Sequence, residues 1–148
     1  HSTRQYDSNR DRRAMEVFDG FIAAIASEFK LKFHKDSEGA YTTLISFDNN
    51  RSQQVLITLS KDEVGDRIVN YYSIVGKLKG DFGELYKFAL QTNSSLLFGA
   101  MALVDDTLIL RDSMLLQECD PRRFMKSLTY IAAKADEIEE MLLKKNVS

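Results

Sequence analysis

Between Ala14 and Lys30 the apolar positions are Met15, Val17, Phe18, Phe21, Ile22, Ile25, Ala26 and Phe29. Spacings of three and four recur, which predicts an amphipathic helix. Gly20 lies inside it and costs about 1 kcal/mol against Ala. It reads either as a tolerated glycine or as the mark of a close helix or partner contact. After the helix the period changes to two. Over Leu31 to Asp36, Leu31, Phe33 and Lys35 alternate with Lys32, His34 and Asp36, and Ser37-Glu38-Gly39 makes a turn. A strand over 40–48 puts Tyr41, Thr43, Ile45 and Phe47 on one face, and Asp48-Asn49-Asn50 turns it back. The strand over 52–60 carries Val55, Ile57 and Leu59 on one face and Leu56 opposite. The longest strand, 66–78, has Ile68, Tyr72 and Ile74 on one side and Val69, Tyr71 and Val75 on the other, with the second set expected away from the core. Short turns between consecutive strands favour antiparallel pairing.

A second, shorter helix follows. Asp81 and Glu84 have the spacing of a capping box, and Leu85, Phe88 and Ala89 carry the apolar face, which ends near Thr92-Asn93. Two apolar runs, Gly99 to Val104 and Thr107 to Asp112, are split only by Asp105-Asp106, a hairpin signal. Asp120-Pro121 then punctuates the chain: Asp caps orphan N–H groups and Pro is pre-shaped for the first helical turn. In the helix beyond, Phe124, Leu128, Ile131, Ala132, Ala135, Ile138 and Leu142 form one stripe, and Glu140 and Lys144 have the favourable i, i+4 order. The element order is α-β-β-β-(β)-α-β-β-α. It predicts an α+β domain with an antiparallel sheet of five to six strands and the helices on one face. Residues 1–12 are polar and read as a flexible arm or the run-up to a helix, with a single domain over 13–146.

Composition narrows the function more by exclusion than by indication. The chain has 148 residues, 44% apolar and 28% charged, which suits one globular domain. Its net charge of −2 provides no general pull toward nucleic acid or an anionic membrane. No apolar run approaches the ~20 residues of a membrane span, and no signal peptide is visible, with a targeting segment ahead of His1 left open. One cysteine, Cys119, precludes an internal disulfide and a cysteine-based zinc site, and fits a reducing cytosol. Glu118 beside it is expected to raise the thiol pKa, so it reads as inert. His34 sits between lysines on a strand without partners for catalysis or metal. Asp105-Asp106 and Asp48-Asn49-Asn50 lack the spacing of a calcium loop and read as turns. Lys79-Gly80-Asp81-Phe82-Gly83 lacks the phosphate-loop pattern. No nucleophile, base and oxyanion set is present, so neither a cofactor nor an enzymatic activity is expected. Arg10, Arg12 and Arg13, and Arg122 with Arg123, are clusters that read as solvated charge before they read as an acidic-partner site. The informative anomaly is apolar residues on both faces of several strands, Leu44 and Leu56 among them, which calls for cover by a helix or a partner.

In its element order, and most in its C-terminal half, the chain resembles the type III secretion chaperone-like fold, the Tir-chaperone and YbjN-like superfamily. Leu90 to Asn93, Leu96-Leu97-Phe98-Gly99-Ala100-Met101-Ala102-Leu103, the Asp-Asp turn, Leu108-Ile109-Leu110 and Asp120 with its long helix carry the likeness. They follow that group's habit of a small-residue strand, an acidic turn, an aliphatic strand and a closing helix. The resemblance implies a small acidic bacterial protein of the cytoplasm, homodimeric and non-enzymatic, that holds an extended segment of a secreted client. By the same resemblance Tyr71, Val75, Leu85, Tyr86 and Phe88 are dimer-interface candidates, with core packing the alternative for Leu85 and Phe88. Met15, Phe18, Ile22, Leu44 and Leu56 are client-binding candidates, with core packing the alternative for most of the helix positions. Two other readings stay open: a YbjN-like regulatory or stress-related domain with no secretion client, and a small-molecule-binding domain whose pocket only the fold assembles.

Overall fold

A computed structural model describes residues 2–77 and 83–147. Helix α1, Ser2–Phe29, is followed by strands β1 (Phe33–Ser37), β2 (Ala40–Ser46), β3 (Ser52–Lys61) and β4 (Arg67–Lys77). Then come α2 (Gly83–Asn93), β5 (Ala100–Val104), β6 (Thr107–Leu115), a 3-10 turn over Leu116–Glu118 and α3 (Pro121–Val147). The strands form one six-stranded antiparallel sheet in the order β1-β2-β3-β4-β6-β5. The expected α+β fold is thus present, with the optional fourth strand of the first run realised.

Side chains from α1 and α3 pack on one face of the sheet. Phe18, Ile22 and Ile25 of α1 and Phe124, Leu128, Ile131, Ala135 and Ile138 of α3 close over Tyr41 and Ile45 of β2, Val55 and Ile57 of β3, Val69, Tyr71 and Val75 of β4, and Leu108 and Leu110 of β6. Edge-to-face ring contacts join Phe21 to Phe124 and Tyr71 to Phe124 at centroid distances of 5.2 and 4.9 Å. The polar groups on this face are bonded, as burial requires. Thr43 Oγ1 donates to the Lys32 carbonyl at 2.9 Å, Gln53 Nε2 to the Ile74 carbonyl at 2.8 Å and Ser73 Oγ to the Gln54 carbonyl at 2.7 Å.

Strand β4 corrects the inside-outside reading. Val69, Tyr71 and Val75 face the helices and are buried, while Ile68, Tyr72 and Ile74 face away. The register decides it: Tyr71 lies opposite Ile57 of β3, whose face is fixed by the buried Val55 and Ile57. A register irregularity relative to β6 falls between Ile74 and Gly76, and pairing resumes at Gly76–Leu108 and Lys77–Thr107. The polar stretch ahead of Ala14 is helical from Ser2 and runs into α1 without a break, instead of forming a separate arm. Asp11 ties it to the end of the β3–β4 hairpin, accepting from Arg67 and, at 3.3 Å, from Lys61. Gly20 is exposed with open space where a Cβ would stand, so no described helix of the chain comes close to it there. The capping box at the start of α2 lies in part outside the described residues, because Asp81 does.

The hairpin and the last helix follow their sequence signals. Val104 pairs with Thr107 across Asp105-Asp106, and Asp105 takes a φ of 56°, as a tight two-residue turn requires. Asp120 caps α3, its Oδ2 accepting from the Arg123 N–H at 3.0 Å.

Candidate functional site

The described residues contain no group of histidine, cysteine and carboxylate side chains able to hold a metal ion. His34 is exposed and its Nε2 lies 3.5 Å from Asp36. Cys119 is partly enclosed, and burial pushes its thiol up to about 11 against the opposing pull of Arg123. Burial, not the neighbouring Glu118, is what holds it protonated. The Tyr71 hydroxyl donates to Ser127 Oγ at 2.6 Å, and that hydroxyl donates to Asp112 Oδ2 at 3.2 Å. Desolvation raises the Tyr71 pKa, the Ser127 bond opposing it. The chain of three groups spans β4, β6 and α3, and it ties the core together. Tyr41 is likewise raised to about 12, first by burial and then by its 2.7 Å bond to Asp19 on α1.

What the structure offers to the outside is apolar surface in two places. The first is the sheet face opposite α1 and α3. Cross-strand pairing sets Leu56 beside Thr42 and Tyr72, Leu44 beside Gln54, and Ile74 beside Ile109, whose other neighbour is Ala102. Leu44 is 57% and Ile74 44% exposed, and Leu56, Ile68 and Tyr72 on the same face are half-buried. The second lies along α2 and the neighbouring edge of the sheet. Helix α2 has no buried residue; Leu85, Phe88 and Ala89 are half-buried against the core. Tyr86 and Leu90, four apart on the flank of that inner stripe, are exposed with Leu97, Leu103 and Val104. Leu90 reaches 72% and Leu97 77%.

Between α2 and α3 runs a groove of about 550 Å³, with Phe88, Leu96, Ile138 and Met141 in its lining. Its charges pair with one another. Arg51 meets Asp136 at 2.9 Å and also Glu140, whose Oε2 is enclosed without a directed hydrogen bond; Lys134 meets Glu137 at 3.1 Å and Lys144 meets Glu140 at 3.7 Å. The Asp136 bond is the main reason the Arg51 pKa is raised. No described cation of the groove is left to recruit an anion.

The structure therefore sorts the residues the sequence singled out. Tyr71 and Val75 are core residues and cannot present themselves to a second subunit; the same holds for Phe18 and Ile22, which are on the buried face of α1 and not open to a client. Met15 is half-buried and packs at the core margin, with its thioether close to Gly39. Leu44 and Leu56 share the open sheet face, and Leu85, Tyr86 and Phe88 are together on α2. Tyr72 and Ile74 were missed because β4 is apolar on both sides. Leu90 had a readable signal, its spacing of four from Tyr86.

No family model and no curated protein matches the chain. Solved structures do. A chain in the structure of the HopA1–SchA chaperone–effector complex superposes with a TM-score of 0.60 at 10% identity, covering 86% of this chain and 97% of that one. A chain in the crystal structure of the Yersinia pestis type III secretion chaperone SycH, in complex with a stable fragment of YscM2, gives 0.54 at 19% identity, with 80% and 97% covered. The chain has the type III secretion chaperone-like fold. At these identities the likeness is one of fold.

Proposed function

We propose that this chain is a non-enzymatic protein-binding domain that holds an extended segment of a secreted client, as a homodimer in the bacterial cytoplasm. The reading is carried by one observation: a six-stranded sheet covered by helices on one face, whose other face leaves Leu44, Leu56, Tyr72 and Ile74 uncovered among polar neighbours such as Gln54 and Arg111. Pleated rows of alternating side chains suit an extended peptide, whose own side chains repeat at the same period. The flank of α2, with Tyr86, Leu90 and Leu97, is the surface for the second subunit. It replaces Tyr71 and Val75 in that role. Both structural neighbours come from complexes of a chaperone with another protein, HopA1–SchA and SycH with a fragment of YscM2, which supports a protein client. The self-paired charges of the α2–α3 groove favour this reading over a small-molecule site.

The test is co-expression with each protein encoded beside the chain's own gene, followed by limited proteolysis of any complex. The expected outcome is a protected N-terminal segment of one such protein, lost when Leu44→Asp and Ile74→Asp are combined. A complex that survives the double variant unchanged would move the client off the sheet face. A chain that remains monomeric at high micromolar concentration would remove the dimer.

A further inference from the structure

Strand β5 ends the sheet on one side, paired to β6 alone among the strands. Such an edge presents backbone donors and acceptors to any passing strand. At Met101 they are already taken. The Met101 N–H donates to Asn93 Oδ1 at 2.6 Å, and Asn93 Nδ2 donates back to the Met101 carbonyl at 3.3 Å. One carboxamide thus reproduces both hydrogen bonds that a seventh strand would make at that residue. Asn is suited to this because its amide carries a donor and an acceptor side by side, as a peptide group does.

We infer that Asn93 is an edge lock: it blocks β5 from pairing with the β5 edge of a second copy of this chain. Strand alternation places the Leu103 backbone groups on the same edge as those of Met101. Antiparallel pairing about a two-fold axis near Ala102 is self-complementary, since each copy offers the same residues to the other. The side chains of the edge strand would reward it, because Leu103 and Val104 are exposed there. The lock is set by the end of a short helix, since Asn93 is the last residue of α2 and α2 buries no residue of its own. The two bonds to Met101 tie that end of α2 directly to β5. This inference stands apart from client binding and does not require it.

The experiment compares wild type, Asn93→Ala and Asn93→Asp by amide hydrogen exchange at Met101 and by sedimentation over a concentration series. Asp keeps the acceptor for the Met101 N–H and loses the donor to its carbonyl. In dilute Asn93→Ala the Met101 amide should exchange about tenfold faster than in wild type, the loss of roughly one net hydrogen bond. On concentrating, the variant should form assemblies larger than those of wild type, with Met101 and Leu103 amides slowing together. Asn93→Asp should fall between the two. Unchanged exchange at Met101 in the Ala variant would overturn the lock. Faster exchange with no added assembly, or assembly that leaves Leu103 exchange unaltered, would overturn the self-pairing edge. If Asn93 merely ends the helix, both variants would lower thermal stability without either change, and the inference fails.

Discussion

Replacing Gly99 by alanine should unfold this protein at markedly lower denaturant. Gly99 sits between α2 and β5 with a φ of +72°, in the left-handed region. For a residue with a Cβ that conformation costs about 1–2 kcal/mol. The added carbon would also stand 2.4 Å from Ile131 Cδ1 and 2.6 Å from the Arg111 carbonyl oxygen. Ile131 could give way by rotating its terminal methyl. Arg111 cannot, because it is held on both sides, opposite Tyr72 of β4 and Ala100 of β5. Overpacking of this kind adds about 1–3 kcal/mol. Against the sum stands a gain of about 0.4–1 kcal/mol from stiffening the unfolded chain. The net expectation is a loss of about 2–4 kcal/mol, read as a shifted urea midpoint at unchanged slope in far-UV circular dichroism. Gly20→Ala is the internal contrast, in open space within α1, and should gain up to about 1 kcal/mol. A Gly99→Ala variant within about 0.5 kcal/mol of wild type, the scale of an ordinary surface change, would refute the argument from close approach.

Tyr71→Phe should cost about 1 kcal/mol in the same assay by removing the hydroxyl bonded to Ser127, whereas Tyr71→Asp should not yield folded protein at all. Cys119 should alkylate slowly with iodoacetamide at pH 8 and speed up only toward pH 11. Its folded pKa lies above the unfolded one, so its stabilising contribution is complete below about pH 9 and is lost as pH rises through about 11. Alkylation at pH 8 as fast as that of a free thiol would contradict the burial. Combined Leu44→Asp and Ile74→Asp should leave the unfolding midpoint near that of wild type, because both side chains are already exposed. A large loss of stability would show that the open sheet face is packed in solution.

Periodicity made most of the fold legible. The stripe from Phe124 to Ile138 predicted α3 and its buried face, and Asp105-Asp106 and Asp120-Pro121 marked the hairpin and the cap that the structure contains. The misreading of β4 has a physical origin. A strand with Ile68, Tyr72 and Ile74 on one side and Val69, Tyr71 and Val75 on the other has no amphipathic signature, and only pairing with β3 settles its phase. That pairing is a long-range fact, absent from the local pattern. Two interface candidates and the missed Tyr72 and Ile74 follow from this single choice. The helix candidates failed differently: Phe18 and Ile22 lie on the stripe that a covering helix must bury, so periodicity itself argued for the core. The Asn93 clasp was invisible because it joins a helix end to a strand edge through side-chain geometry.

In this sheet every neighbour pairing joins strands consecutive in sequence except one, β4 with β6. That seam divides the molecule into two pieces. The first, α1 through β4, is a meander that closes through short turns. The second, α2 through α3, is a hairpin with its own long amphipathic helix. A backbone break between Lys77 and Gly83 would leave β4–β6 as the one strand pairing that joins the two fragments. The two fragments, made separately, would each carry half of one hydrophobic interface: Val69, Tyr71 and Val75 on one, Leu108, Leu110, Phe124 and Leu128 on the other. The fold thus has the design of a split protein, in which reunion of the halves at a single seam rebuilds the core and can serve as a reporter of whatever brings them together.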